Sequence, residues 1–273
     1  RIIHAILAGK RNPRQLAALR DPQCKQPEAV LAKALEGDWR QEHLFALRQA
    51  VELVEAYQAK INACDAAIAA QLATFDDRSD GAPPPKGRRP RKDRNDLSFD
   101  ASGALFRMTG VDLTAIPGLA APTVLKVLSE TGLDMTRWPN AKCFASWLGL
   151  APNNRVSGGK VLHRRTTPSA NRAAAALRLA AQTLHHARSA LGAFLRRKAA
   201  QHGMPTAITA TAHKLAVILY QMVRHRLPYR EPGVDAFERR YQQRLLKQLT
   251  RHAHTLGYHL IPDTQTAPSL THA

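Results

Sequence analysis

Apolar positions recur at alternating three- and four-residue steps along the stretch "DWRQEHLFALRQAVELVEAYQAKINACDAAIAAQL". Leu44, Leu47, Val51, Val54, Ile61, Ile68 and Leu72 hold the seam, and Gln58 and Asp65 interrupt it. That spacing predicts one long amphipathic helix with a narrow apolar stripe, suited to a coiled coil, a helical hairpin or packing on the chain's own core. Asp38 is its expected N-cap, just after the break at Gly37. Ahead of it, "GKRNP" and "RDPQC" separate short helices. Further along, Leu177, Ala180, Leu184, Ala187, Leu191 and Phe194 predict a single long helix, capped by Ser169 or Asn171 and stopped by Gly203 and Pro205. Ile208, Leu215, Ile218, Leu219 and Met222 mark a further buried helix, and "VDAFERRYQQRLLKQLTRHAHTLGY" a last one, amphipathic and basic. Phe144, Trp147, Leu148 and Leu150 read as core; Trp147 could also stack on a base, but its helical spacing from Phe144 favours burial. The fold class is mainly α.

The periodicity stops at "DDRSDGAPPPKGRRPRKDRND", where proline, glycine and charge leave nothing to bury. The chain therefore divides into a helical, coiled-coil region at residues 1–75, a basic proline-rich linker at 76–96, a helical domain at 97–260 and a flexible tail at 261–273. The basic run Lys86 to Arg94 is a solvated tether able to rest on nucleic acid. Within the second region, Ile116-Pro117-Gly118-Leu119 forms a tight turn between two helices, similar to a helix-hairpin-helix. In such turns backbone N–H groups at the second helix meet a phosphate, although Pro-Gly turns also join ordinary helices.

Charge narrows the partner. The 273 residues carry a formal net charge of +19, which points to a polyanion, DNA or RNA before a membrane surface. No apolar run approaches the roughly 18 residues needed to cross a bilayer, and no signal peptide is visible. Aromatics make up only 5% of the chain, so the core is expected to be aliphatic and alanine-rich, which favours helix. Cys24, Cys64 and Cys143 are scattered without metal or disulfide spacing, as in a reducing cytosol.

The search for chemistry leaves one stretch standing, "NNRVSGGKVLHRR". Acidic residues that could pair on a divalent metal are all more simply surface charges or caps, the histidines are dispersed, and no Walker loop or HExxH occurs, so this chain is expected to hold no metal. Ser157 precedes Gly158 and Gly159, and Arg155, Lys160, Arg164 and Arg165 surround it. The glycines let a phosphate approach without Cβ obstruction, and the guanidinium fork suits phosphate. A solvated turn, a phosphate-binding turn and a nucleophile activated beside a phosphate all fit these residues. His163 is a candidate base.

The run from "FASWLGLAPNNRVSGGKVLHRR" through "AHKLAVILYQM", preceded by "IPGLAAPTVLKVLSETGLDM", resembles the C-terminal Tnp domain of the "one-ten" family of insertion-sequence transposases, recombinases guided by a bridge RNA. The upstream helices resemble that family's coiled-coil region. The resemblance implies that Ser157 is the serine that joins DNA covalently, that Asn171 and Arg172 belong to the same site, and that DNA and a guide RNA are the partners. It implies Mg2+ held by four acidic residues of a RuvC-like domain preceding residue 1, onto no position of this chain. It further implies a homodimer or higher homo-oligomer through the coiled coil, and the bacterial cytosol. The chain then contributes a nucleophile and binding surface but does not cleave alone. The alternatives are a non-catalytic helix-hairpin-helix nucleic-acid-binding module, with Pro117 and Gly118 on phosphate, and a structural coiled-coil protein.

Overall fold

The computed structural model describes residues 1–84, 96–153, 155–163, 166 and 170–261, with the backbone alone at 155, 156 and 160–163. The basic run Lys86 to Arg94, Arg164, Arg165 and Ser169 lie outside the described residues. The described chain is mainly helical, and it divides into two compact units, Arg1–Ile68 and Ala69–Ala273.

In the first unit α1 (Ile2–Leu7), α2 (Pro13–Ala17) and α3 (Glu28–Ala34) are short, and Asn12 caps α2 by accepting from the Arg14 and Gln15 N–H groups. Their small core of Ala5, Ile6 and Leu16 also takes in Trp39, Leu44 and Leu47. The long helix α4 runs Gln41–Ala73, as the seam predicts. It starts later than expected: the Arg40 carbonyl accepts from Leu44 N–H, so Asp38 does not cap it. The seam is also divided in use. Leu44 and Leu47 pack within the unit, whereas Val54 and Ile61 are 67% and 52% exposed. The open part is about two heptads, less than the three or four that a self-sufficient coiled coil needs.

The second unit is built on α5 (Ala101–Thr109), α6 (Ala121–Thr131), α7 (Ala141–Trp147), α8 (Arg172–Thr183), α9 (Ala190–His202), α10 (Met204–His225) and α11 (Gly233–Thr255). The long α10 is central and packs on α7, α8 and α9, burying Leu215, Leu219 and Met222. Helix α8 buries Ala173, Ala174, Ala176, Leu177, Ala180 and Ala181, a small-residue face that lets α6 and α10 approach closely. The core is aliphatic around one aromatic group, Trp138, Phe144 and Tyr220, with the Tyr220 hydroxyl donating to the Trp138 carbonyl at 2.8 Å.

Three expectations change here. The single helix expected through residue 202 is two, α8 and α9, split by a 3₁₀ turn at Leu184–His186. Ser189 accepts from Gly192 N–H and starts a new helix, while Arg196 donates to the carbonyls of His185 and Ala187 that the break frees. A Cβ on Gly192 would collide with the carbonyl oxygens of Leu184 and Ala187, so the sharp turn depends on glycine there. Trp147, expected in the core, is 45% exposed at the end of α7. The beginning of the expected linker is pinned: Arg78 N–H donates to the Arg107 carbonyl at 2.7 Å, and Arg107 donates to the carbonyls of Leu72 and Phe75.

Helix α11 closes onto α9. Arg197 lies 3.6 Å from the Tyr241 ring centroid and pairs with Glu238. Glu231 accepts from Ala190 N–H at 2.8 Å and Gly233 N–H at 3.1 Å, tying the starts of α9 and α11 together, and from the Tyr229 hydroxyl at 2.6 Å. Burial, then the bond and charge of Glu231, hold the Tyr229 phenol well above its ordinary pKa.

Candidate active site

Helix α7 ends at Trp147, and the chain turns through Leu148, Gly149 and Leu150, all buried, to Pro152. Pro152 bridges Thr166 and closes the base of a hairpin between β1 (Arg155–Ser157) and β2 (Lys160–His163). Ser157 pairs with Lys160 and Val156 with Val161, leaving Gly158 and Gly159 as a two-residue turn. Their φ values are +56° and +76°, the two positive angles of a type I′ turn, whose twist matches that of the strands it joins. A bulge between Arg155 and Val156 shifts the register so that Arg155 pairs with His163.

Ser157, Gly158 and Gly159 are all exposed, and a Cβ built on either glycine meets no atom of the described residues within 4 Å. These glycines are thus required by backbone conformation and not by crowding. The hairpin carries the serine at its tip, open to a large ligand. Arg155 and Lys160 are on its strands.

Asn171 caps α8, accepting from Ala174 N–H at 3.2 Å. Arg172 is the first residue of that helix, with its side chain 82% exposed, and lies 3.8 Å from Glu130 on α6. A cation at a helix N-terminus opposes the macrodipole, so Arg172 gains little stability there. The same place attracts anions, and an exposed guanidinium beside it adds to that attraction.

Pro117 and Gly118 lie elsewhere on the unit. The element before them is a 3₁₀ turn, Leu113–Ala115, and the one after is α6, whose N-cap Ala120 offers no side-chain acceptor. Ile116 and Leu119 are buried, and Gly118, at φ +86°, backs onto α8. A Cβ there would sit 2.9 Å from the Ala180 carbonyl oxygen and 3.1 Å from Leu184 Cδ2. Its glycine is explained by packing.

Among the described residues no three His, Cys, Asp or Glu side chains group as metal donors. Also among the described residues, no helix is long and apolar enough to cross a membrane.

The site is an open serine on a glycine-turned hairpin, standing on a helical body in a chain of charge +19. Residues 112–196 match the model of the Transposase IS116/IS110/IS902 family, so the chain carries a segment of that family. The matched stretch is under a third of the chain and contains the Pro-Gly turn, the whole hairpin, Asn171 and Arg172. It ties the chain to transposition and implies interaction with DNA. No curated protein and no solved structure matches the chain.

Proposed function

We propose that this chain supplies the serine nucleophile and part of the DNA-binding surface of a transposase. The observation that carries this is Ser157, exposed at the tip of the hairpin inside the family-matched stretch. In the reaction Ser157 Oγ attacks a DNA phosphorus. An Oγ–P bond forms, one P–O ester bond breaks, and the departing DNA oxygen takes up a proton in place of the one the serine loses. The phosphoserine ester keeps the energy of the broken bond, so a second strand's hydroxyl can reverse the step and exchange strands. Arg172, Asn171, the strand residues Arg155 and Lys160, and Arg164 and Arg165 hold neighbouring phosphates, while Gly158 and Gly159 leave room for the scissile phosphate to approach Ser157. An acidic, metal-holding domain acts with this chain in the bacterial cytosol, and a guide RNA contributes the sequence choice. The chain alone binds nucleic acid without cutting it.

The test mixes the chain with the acidic domain and end-labelled DNA. A denaturation-resistant protein–DNA adduct mapping to Ser157, lost in Ser157→Ala, is expected. An adduct that survives in Ser157→Ala would overturn the assignment. The exposed seam of α4 adds a homodimer contact through Val54 and Ile61. With two open heptads, dimerisation is weak, and light scattering should show a mass rising with concentration through the micromolar range. A constant monomer mass there would remove the dimer from the reading.

A further inference from the structure

Most exposed apolar side chains of this protein are aliphatic and stand along single helices, as Val54 does on α4 and Leu246 on α11. Trp147 differs in chemistry and in support. Its ring lies 5.0 Å from that of Trp138 and 6.4 Å from that of Phe144, stacked on the latter at 20°. Those two rings are buried, at 6% and 0% exposure, and Phe144 in turn contacts Tyr220. Trp147 therefore rests on a fixed aromatic base and still has 45% of its surface in solvent.

Such a side chain is pre-organised for stacking. Ordering a free surface tryptophan on binding costs rotamer entropy, whereas this ring is already placed by the core. Two cations stand on the adjoining elements. The Arg137 guanidinium lies 5.5 Å from the Trp138 ring centroid, at the edge of the same aromatic group, and Lys142 is exposed on α7. Ten Cα–Cα steps separate Trp147 from Ser157, a span of at most about 35 Å even when extended. Exposed aromatic faces among positive charges bind single strands through their bases, since every base has a π-face.

We propose that Trp147 is a stacking platform for one unpaired base of a DNA or RNA strand bound alongside the Ser157 hairpin. This rests on the proposed nucleic-acid reading and extends it from phosphates to a base. Duplexes, whose bases are already stacked, gain nothing from Trp147.

The test measures binding of the full chain to labelled dT20, U20 and a blunt 20-base-pair duplex by fluorescence anisotropy over a salt series. Trp147→Leu keeps an apolar side chain without a π-face, and Trp147→Phe keeps an aromatic face. Trp147→Leu is expected to weaken single-strand binding by about 5- to 150-fold, the worth of one stacked base. Trp147→Phe should retain most of that affinity, with duplex affinity and salt slope unchanged, because phosphate contacts are untouched. Loss on dT20 alone assigns the base to DNA, loss on U20 alone to RNA, and loss on both to either strand; each supports the proposal. Single-strand affinity of Trp147→Leu within twofold of wild type, or an equal loss on duplex, overturns the platform and leaves the nucleic-acid reading standing. Wild-type protein that binds none of the three probes overturns both.

Discussion

Gly118→Ala separates a packing glycine from a phosphate-binding one. Gly118 has φ +86°, and its Cβ would meet the Ala180 carbonyl oxygen at 2.9 Å and Leu184 at 3.1 Å. A non-glycine residue at positive φ costs about 1–2 kcal/mol. The contact is with backbone at the end of α8, which cannot rotate away as a side chain would, and forcing an extra methyl into packed structure adds about 1–3 kcal/mol. The sum is about 2–5 kcal/mol, which at roughly 2–4 °C per kcal/mol for a unit of this size lowers Tm by about 4–20 °C. The assay is thermal unfolding followed by circular dichroism, with hydrogen exchange across residues 176–186 to locate the loss. Gly158→Ala is the control. It suffers the same positive-φ strain at +56° but meets nothing among the described residues within 4 Å, so the cost stays in the hairpin and Tm is unchanged. A Gly118→Ala protein with wild-type Tm and a shallower salt dependence of DNA binding would refute the packing account and return Gly118 to the phosphate.

Arg172→Ala should weaken DNA binding and lower the slope of log K against log salt by about 0.9, the loss of one phosphate contact. Its stability should hold or rise by a few tenths of a kcal/mol, since a cation leaves the N-terminus of α8; a large fall in Tm would show that the Glu130 pair matters more than the phosphate. Glu231→Ala removes the shared acceptor of Ala190 and Gly233 N–H groups. It should cost about 1–3 kcal/mol, with faster hydrogen exchange at the starts of both α9 and α11, and exchange confined to one helix would contradict the tie. Burial, then the Lys214 charge, holds the His213 pKa below its ordinary value. The unfolded chain takes up that proton first, so His213 stabilises fully above about pH 6.5 and loses stability as pH falls through that value towards the depressed one. The fall in Tm between pH 7.5 and 5.5 should be smaller in His213→Gln than in wild type, and equal falls would exclude His213 as the source.

The helical class and most helix positions were legible because period and punctuation agree. The α4 seam, the stop at Gly203 and the buried face of α10 are all local signals. The division of α8 from α9 was not, because residues 184–189 contain neither proline nor glycine. The break there depends on Arg196 reaching back to His185 and Ala187, and on Gly192 accepting their close approach, which are contacts of the folded chain. Trp147 was misplaced for a similar reason. Its spacing from Phe144 marks a shared face, yet α7 ends at Trp147, so half of the ring extends beyond the core that covers Phe144.

For the site, residue types identified the Ser157 turn and could not rank its glycines. Gly118, Gly158 and Gly159 all have positive φ, but only Gly118 is crowded. Glycine in the core turn is held by the backbone of α8, and glycine in the hairpin by the turn type alone. A two-stranded hairpin has little stability of its own, so the body can tolerate changes at its tip that would be costly at Gly118. That division suits a nucleophile that has to meet a phosphate and a second strand in turn. It also gives a concrete expectation. Gly158→Ala and Gly159→Ala should reduce adduct formation at Ser157 while leaving Tm and the affinity for DNA near wild type. An equal loss of adduct and affinity in both variants would instead make the glycine turn part of the binding surface and leave the positioning of Ser157 to the bulge at Arg155 and Val156.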